Sequence, residues 1–155
     1  MPLGRSRGGL WVTSWACDHA DQVAGFAGIH PVFDLRTYPG LAKAAPSHEL
    51  KTEELQAKLS EHNPIERVGV VVKAKVPVFI IHGDEDEVVP LKENAAELMA
   101  RYEVARAKEA VTLVVAKGPV IAWHFAQCRQ STISGAISLH DRTVTIRPTG
   151  LQVFN

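Results

Sequence analysis

Val76-Pro77-Val78-Phe79-Ile80-Ile81-His82 is a continuous apolar stretch, and it predicts a β-strand that is buried on both faces. A helix is predicted next, from Pro90 to about Lys108, because Pro90 suits a first helical position and the apolar residues share one face. These apolar residues are Leu91, Ala95, Leu98, Met99, Tyr102 and Ala105. Val111–Ala116 predicts a second buried strand. Strand, helix and strand with short connections form a βαβ crossover, so we expect a parallel sheet and the α/β class.

Near the start of the chain lies Gly4-Arg5-Ser6-Arg7-Gly8-Gly9, which has the pattern G-x-S-x-G-G of a turn that presents a serine at the end of a strand. Such a turn strains the serine backbone and brings two segments of chain together. We therefore expect that Gly4 and Gly8, two residues before and after Ser6, are required for that close approach. The pattern predicts Ser6 as a nucleophile for acyl transfer.

An apolar helix is predicted directly after this turn, with Trp11, Val12, Trp15 and Ala16 on its buried face. Its N-terminus would direct backbone N–H groups toward Ser6, where a developing oxyanion needs donors. The N–H of Arg7 is predicted to be one of them. The second donor of such a site comes from a loop on the N-terminal side, and only three residues precede Gly4 here.

Composition indicates one globular domain, since the 155 residues are 46% apolar and 22% charged. Lys plus Arg and Asp plus Glu are 17 each, and no basic run occurs, so we expect no nucleic-acid partner. Arg5 and Arg7 precede an apolar stretch, but a signal peptide is not predicted because acidic residues follow at once. No apolar run approaches the ~20 residues of a membrane span. We expect no membrane contact and a cytoplasmic location.

The cysteines and histidines do not predict a metal or cofactor site. Cys17 and Cys128 cannot form a disulfide framework, and neither is predicted to be catalytic. The histidines lack metal-ligand spacing and are predicted to be surface or loop residues. These are His19, His30, His48, His62 and His140. His82 is predicted to pack beneath the acidic residues that follow it.

The remaining segments give weaker patterns. Residues 23–29 predict a short buried strand, in which Gly25 and Gly28 allow another backbone to approach closely. Residues 33–39 predict a loop, and residues 49–61 a surface helix with a stripe of Leu55 and Leu59. Residues 68–72 are left unassigned. Beyond Gly118 only residues 143–147 alternate like an exposed strand, so an irregular tail is expected.

Two motifs in this order resemble the C-terminal half of an α/β-hydrolase. They are the opening serine turn and His82-Gly83-Asp84-Glu85-Asp86-Glu87-Val88-Val89-Pro90, followed by a strand that ends in Lys117-Gly118. The resemblance is to the prolyl-oligopeptidase-like and dienelactone-hydrolase-like branches and covers residues 4–118. In such enzymes the string H-G-x-x-D-x-x-V-P carries the acid of the catalytic triad. The resemblance therefore implies that Asp86 is that acid, with Asp84 as the weaker candidate.

The resemblance implies a histidine near position 121, in a G-x-G-H motif, but Ile121 stands there. His124 is the nearest imidazole and is the predicted base. We expect residues 1–118 to be the C-terminal half of a hydrolase domain, and residues 119–155 to be a divergent or poorly ordered tail. A change of reading frame near the codon for Gly118 would account for the abrupt end of the resemblance, and the chain would then be a fragment.

The predicted fold is thus a partial α/β-hydrolase fold, a parallel sheet with flanking helices. The predicted function is a serine hydrolase that forms an acyl-enzyme from a small-molecule ester or a peptide and needs no cofactor. Ser6 would attack the substrate carbonyl, and His124 would take and return the proton. Asp86 would orient the imidazole of His124, and the N–H of Arg7 would bind the oxyanion. Three alternatives remain open: an inactive fragment, a binding module that self-associates through its sheet edge, and a metal site at residues 84–87.

Overall fold

Four strands form a parallel sheet in the computed structural model, which describes residues 1–118, 137–139 and 142–144. In spatial order they are β1 (Leu3–Arg5), β2 (Phe26–Ile29), β3 (Val78–Gly83) and β4 (Val111–Ala116). Arg5 pairs with Ile29, and Ile29 pairs with Ile81. The C-terminal ends of β1, β2 and β3 therefore lie at one edge of the sheet, which is where α/β proteins bind their ligands. The predicted parallel sheet and α/β class are confirmed.

Helices of various lengths connect the strands. The α-helices are α1 (Gly8–Asp18), α2 (Leu41–Ala44), α3 (Thr52–Ala57), α4 (Leu59–His62), α5 (Pro64–Arg67), α6 (Gly69–Lys73) and α7 (Glu97–Val104). Two 3₁₀ turns, Ala45–His48 and Lys108–Ala110, and one π-helical turn, Lys92–Ala96, complete the described set. The helix predicted for residues 49–61 is divided into α3 and α4, although its Leu55 and Leu59 are buried as expected. Residues 68–72, left unassigned, contribute to α6.

The main core lies between the sheet and helices α1, α5, α6 and α7. Its largest fully buried side chains include Phe26, Ile65, Ile80, Leu98 and Tyr102. The Tyr102 hydroxyl donates a hydrogen bond of 2.8 Å to the carbonyl oxygen of Val76, just before β3. The face predicted for the helix after Pro90 is therefore largely right, but its last member, Ala105, is exposed.

Helix α1 packs on small side chains rather than on its tryptophans. Its buried residues are Gly9, Thr13 and Ala16, whereas Trp11 is 75% exposed and Trp15 is 47% exposed. The predicted buried face is therefore wrong for Trp11 and Trp15 and confirmed for Ala16, while Val12 is partly buried against the core. Close packing explains this: a Cβ atom on Gly9 would lie 2.7 Å from the Val32 carbonyl oxygen, so only a small residue lets the helix reach the segment after β2.

Cys17, near the end of α1, is partly buried. Burial raises the pKa of its thiol to about 11. The thiol stays protonated at neutral pH and is a poor nucleophile there. This agrees with the prediction that Cys17 is not catalytic.

Strand β4 pairs with β3 alone among the described strands, and it is only partly covered. Val111 is buried, but Val115 is 43% exposed, so the prediction of a strand buried along its length is wrong.

A second compact unit contains an antiparallel pair, β5 (Ile137–Leu139) with β6 (Arg142–Val144). None of the described helices is long and apolar enough to cross a membrane.

Candidate active site

Ser6 occupies the turn between β1 and α1 in a left-handed conformation with φ of 51°. That conformation is uncommon for a residue other than glycine, and it persists only where surrounding contacts hold it. Three backbone hydrogen bonds do so here. The N–H of Ser6 donates to Ile29 O at 3.1 Å, and its carbonyl oxygen accepts from Gly9 N at 2.9 Å and from Val32 N at 3.0 Å.

Around this turn, Gly4 and Gly9 are the positions at which no side chain larger than hydrogen fits. A Cβ atom on Gly4 would lie 2.6 Å from Gly8 O and 2.8 Å from Gly9 N, which no ordinary packing tolerates. A Cβ atom on Gly8 would meet nothing within 4 Å. The expectation is therefore confirmed for Gly4 and wrong for Gly8, whose place is taken by Gly9 because the tight contact is with the segment after β2.

Asp86 is buried in the loop after β3, with 5% of its surface exposed. One carboxylate oxygen, Oδ1, accepts hydrogen bonds from Val88 N at 3.0 Å and from Val89 N at 2.8 Å. The other, Oδ2, is buried and has no hydrogen-bond partner among the described residues. Asp84 is exposed, and its Oδ1 accepts from Gly118 N at 2.7 Å. The two carboxylates therefore differ. Asp84 connects the loop after β3 to the end of β4 by a hydrogen bond, whereas Asp86 has one oxygen that accepts no hydrogen bond from the described residues.

His82 packs beneath this loop, as predicted, and it is fully buried. Its Nε2 lies 2.7 Å from Val89 O, so the ring donates a hydrogen bond from Nε2. Burial lowers the pKa of His82 below its ordinary value, which leaves the ring neutral at pH 7. The 3.7 Å separation of His82 Nε2 from Asp86 Oδ2 is thus not an ion pair at that pH.

An open cavity of about 360 Å³ brings the candidate residues together. Its lining consists of Arg5, Ser6, His30, Asp86, Val88 and Val89. Ser6 and Asp86, which were predicted from separate motifs, therefore border the same space. The N–H of Arg7, at the start of α1, makes no hydrogen bond with another described residue. His124, the predicted base, lies outside the described residues.

His30 was predicted to be a surface or loop residue; it lies in the loop after β2, but it is buried there, with 4% of its surface exposed. It follows β2 directly and has a left-handed backbone with φ of 37°. Arg5 Nε lies 3.4 Å from His30 Nε2, and His30 Nδ1 is buried with no partner among the described residues. A signal was available: His30 comes directly after a predicted parallel strand, at the edge where functional residues collect.

Asn94 anchors the end of the acidic loop to the segment after β2. Its Oδ1 accepts from Phe33 N at 2.8 Å and from Asp34 N at 3.0 Å, while its Nδ2 donates to Pro90 O at 2.9 Å. Nδ2 also lies 3.2 Å from Thr37 Oγ1. The side chain is fully buried within the π-helical turn. Sequence patterns did not single out Asn94, because the N–H groups that it accepts from, those of Phe33 and Asp34, lie 61 and 60 residues away.

The carboxylates of residues 84–87 do not converge on a common point. Within residues 1–118 and the two tail strands, no group of three or more His, Cys, Asp or Glu side chains could hold a metal ion. Asp84 and Asp86 instead accept backbone N–H groups.

Solved structures share this fold over 76% of the chain. Puromycin hydrolase, as an S511A mutant complexed with PGG, is 20% identical with a TM-score of 0.51, and 17% of its chain is covered. A putative dipeptidyl aminopeptidase IV from Bacteroides ovatus is 19% identical with a TM-score of 0.55 and 15% coverage. A protein from Thermus thermophilus is 16% identical with a TM-score of 0.55 and 45% coverage. The chain thus spans less than half the length of each.

A match to a family profile is stronger evidence of family membership than similarity to structures that are at most 20% identical. No protein of curated function is significantly similar to the chain. The sequence profile of the prolyl oligopeptidase family, by contrast, matches residues 2–119, which include the serine turn, the acidic loop and all four strands of the parallel sheet. The chain therefore belongs to the prolyl oligopeptidase family.

Proposed function

We propose that this chain carries the nucleophile, the acid and one oxyanion donor of a serine hydrolase that cleaves ester or peptide bonds through an acyl-enzyme. One observation carries the proposal: Ser6, held in a left-handed turn, and Asp86, with a buried unpartnered oxygen, line one cavity. Membership of the prolyl oligopeptidase family supports the same chemistry. Two of the similar structures are likewise named as a hydrolase and an aminopeptidase.

The first half of the reaction begins with the Ser6 hydroxyl. Oγ attacks the substrate carbonyl carbon while an imidazole takes the hydroxyl proton, and the carbonyl oxygen becomes an oxyanion. The N–H of Arg7 donates to that oxygen from the positive end of α1. Asp86 Oδ2 accepts a hydrogen bond from the imidazole and stabilises its protonated form. The imidazolium then protonates the leaving group, and the acyl-enzyme forms.

In the second half of the reaction, water hydrolyses the acyl-enzyme and the carboxylic acid product is released. The imidazole takes a proton from water, the resulting hydroxide attacks the acyl carbon, and the proton returns to Ser6 Oγ as the ester bond breaks. The family resemblance implies a histidine near position 121, and His124 is the nearest imidazole to that position. The cavity volume of about 360 Å³ lies within the range of small-ligand sites, and its valine lining suits an apolar acyl or leaving group.

A fluorophosphonate probe tests the proposal directly, because it phosphonylates an activated serine. We expect the purified chain to gain one probe mass on the peptide that contains Ser6. Ser6→Ala is expected to abolish the labelling while leaving the far-ultraviolet circular dichroism spectrum unchanged. A folded wild-type chain that gains no probe, or a Ser6→Ala variant that is still labelled, would refute the proposal.

A second candidate function is association between copies of the chain through the free side of β1. Among the described strands β1 pairs only with β2, and apolar side chains near it are exposed: Leu3 by 60% and Trp11 by 75%. An unpaired strand edge is a template for another strand, and a net charge of zero offers no repulsion.

Size-exclusion chromatography with light scattering separates association from a monomeric state. We expect the wild-type chain to elute as a dimer or a larger species, and Leu3→Lys to shift it to monomer because a lysine at a strand edge opposes pairing. Lys43→Ala, an exposed change in α2, is the control. A wild-type chain that is monomeric at every concentration tested contradicts association.

A further inference from the structure

Arg5 directly precedes Ser6 and lines the cavity that Ser6 borders. Burial alternates along β1, where Gly4 is buried and Arg5 is exposed. Of the cavity-lining residues, Arg5 alone carries a permanent positive charge, because the others are a serine, a histidine, an aspartate and two valines. The guanidinium is therefore within reach of a substrate whose reacting carbonyl lies at Ser6.

No carboxylate of the described residues neutralises this guanidinium. Arg36, Arg67 and Arg101 each form an ion pair with an aspartate or a glutamate. Arg5 forms none within the part of the chain that the structure describes, where its one hydrogen bond is to a histidine. The carboxylate of Asp86 belongs to the same cavity, but it is buried and accepts from two backbone N–H groups. The charge of Arg5 is thus left for a ligand.

His30 orients the guanidinium of Arg5. Its Nε2 accepts from Arg5 Nε at 3.4 Å, a long hydrogen bond that leaves the terminal nitrogens Nη1 and Nη2 without a partner among the described residues. Burial is the largest cause that lowers the pKa of His30, so the ring is neutral at pH 7 and Nε2 keeps the lone pair that the contact needs. An arginine held by its Nε can still bind both oxygens of one carboxylate with its terminal nitrogens.

We propose that Arg5 determines the specificity of the hydrolase by binding a carboxylate of the substrate, and that His30 is a positioning residue that orients its guanidinium. This inference rests on the proposed hydrolase function. The substrate class is then an ester or a peptide that carries a carboxylate close to the bond to be cleaved, in the acyl group or in the leaving group. Val88 and Val89, the apolar residues of the lining, suit the hydrocarbon between the carboxylate and the carbonyl.

Two pairs of esters test the proposal. In the first pair, p-nitrophenyl hydrogen glutarate adds a carboxylate to the acyl group of p-nitrophenyl butyrate. In the second, p-carboxyphenyl acetate adds one to the leaving group of phenyl acetate. The measured quantity is the ratio of kcat/KM for the charged ester to that for the neutral ester. Comparing this ratio between variants cancels the different intrinsic reactivities of the esters.

Two further measurements complete the assay. Ser6→Ala, which is expected to remove hydrolysis of all four esters, gives the background rate. An ester that is bound but turned over too slowly to measure is scored by the concentration that halves the rate of fluorophosphonate labelling at Ser6. Urea unfolding of each variant checks that the fold is retained.

Arg5→Gln is expected to lower the ratio about tenfold for the pair whose carboxylate reaches Arg5, an effect between that of an exposed ion pair and that of a buried charged hydrogen bond. The loss should appear in KM for the charged ester, because the contact is made equally in the ground state and the transition state. Arg5→Lys keeps the charge but loses the planar fork, so we expect a loss of only about threefold. Lys43→Gln, which removes an exposed charge in α2, is the control and should change neither ratio.

The positioning role of His30 is tested by two variants on the same left-handed backbone. His30→Leu removes the acceptor, and we expect it to lower the ratio about threefold because the guanidinium loses its fixed direction. His30→Gln offers an amide oxygen near the position of Nε2 and should restore most of the preference. A merely structural role would lower stability in both variants without separating their ratios.

Ionic strength supplies an independent readout. Raising the salt from about 0.01 M to about 1 M shortens the screening length from ~30 Å to ~3 Å. The wild-type ratio for the selected pair should fall with salt, because the exposed guanidinium attracts the carboxylate through water. The ratio for Arg5→Gln should stay constant, since the net charge of the rest of the chain is close to zero.

The outcomes distinguish this inference from the proposed function. If wild type is labelled by the fluorophosphonate probe and Arg5→Gln leaves both ratios unchanged, Arg5 does not determine specificity while the hydrolase proposal stands. If a folded wild-type chain is not labelled at all, both are overturned. A fall in one ratio in Arg5→Gln, with partial retention in Arg5→Lys, supports both. The pair that responds then shows whether the acyl group or the leaving group carries the carboxylate.

Discussion

Asp86→Asn is expected to slow fluorophosphonate labelling of Ser6 by about 10³- to 10⁴-fold, the size of effect that follows when the orienting acid of a serine hydrolase becomes an amide. The substitution keeps an oxygen at Oδ1, which accepts from Val88 N and Val89 N, so the loop should hold its shape. It replaces the unpartnered Oδ2 with an NH₂ group. That group cannot accept a hydrogen bond from an imidazole, and it favours the wrong tautomer.

Asp84→Asn is the matched control, since it changes a carboxylate in the same loop and also keeps the acceptor used by Gly118 N. We expect its labelling rate to stay within about threefold of wild type, because the side chain is exposed and does not line the cavity. Rates are measured by intact-protein mass spectrometry over time. If Asp84→Asn is the impaired variant and Asp86→Asn is not, the acid has been assigned to the wrong residue.

Asn94→Ala is expected to lower the free energy of unfolding by about 3–5 kcal/mol, because it leaves the buried N–H groups of Phe33 and Asp34 without an acceptor at about 1–3 kcal/mol each. It also removes the donor to Pro90 O. Domains are stable by only ~5–15 kcal/mol, so this single truncation should cost a large part of the total. No other side chain among the described residues reaches these two N–H groups.

Urea unfolding followed by tryptophan fluorescence measures this effect, with Glu93→Ala as the control. Glu93 is an exposed neighbour in the same π-helical turn, and its truncation is expected to change stability by less than about 0.5 kcal/mol. Equal unfolding midpoints for the two variants would show that the Asn94 hydrogen bonds contribute little. A loss in Asn94→Ala with an unchanged slope against urea supports the structural assignment.

Local motifs were the part of this molecule that the sequence predicted well. The turn around Ser6 depends on a few neighbouring residues, and the loop around Asp86 closes on N–H groups two and three residues away. The order of strand, helix and strand after Val76 is also a short-range pattern, and it was sufficient to predict a parallel sheet. The family match to residues 2–119 agrees with the resemblance inferred from these motifs.

Burial was predicted less well, because it depends on which distant segments meet. Trp11 and Trp15 are apolar enough to predict a buried face, yet the buried residues of α1 are Gly9, Thr13 and Ala16. At Gly9 the segment after β2 comes too close for a side chain. Val115 lies on β4, which pairs with only one other described strand, and a local apolar pattern does not reveal how many neighbours a strand has. His30 belongs to no motif, and its position beside Ser6 follows from pairing between β1 and β2.

The paired left-handed residues at positions 6 and 30 restrict how this chain can evolve. β-Branched side chains fit that backbone poorly, so a threonine nucleophile is disfavoured at position 6 even though its hydroxyl has similar reactivity. Cysteine has no branch at Cβ and fits far better. For the serine hydrolase proposed above, a change of Ser6 to cysteine is therefore compatible with the turn, whereas a change to threonine first requires the turn itself to be rebuilt.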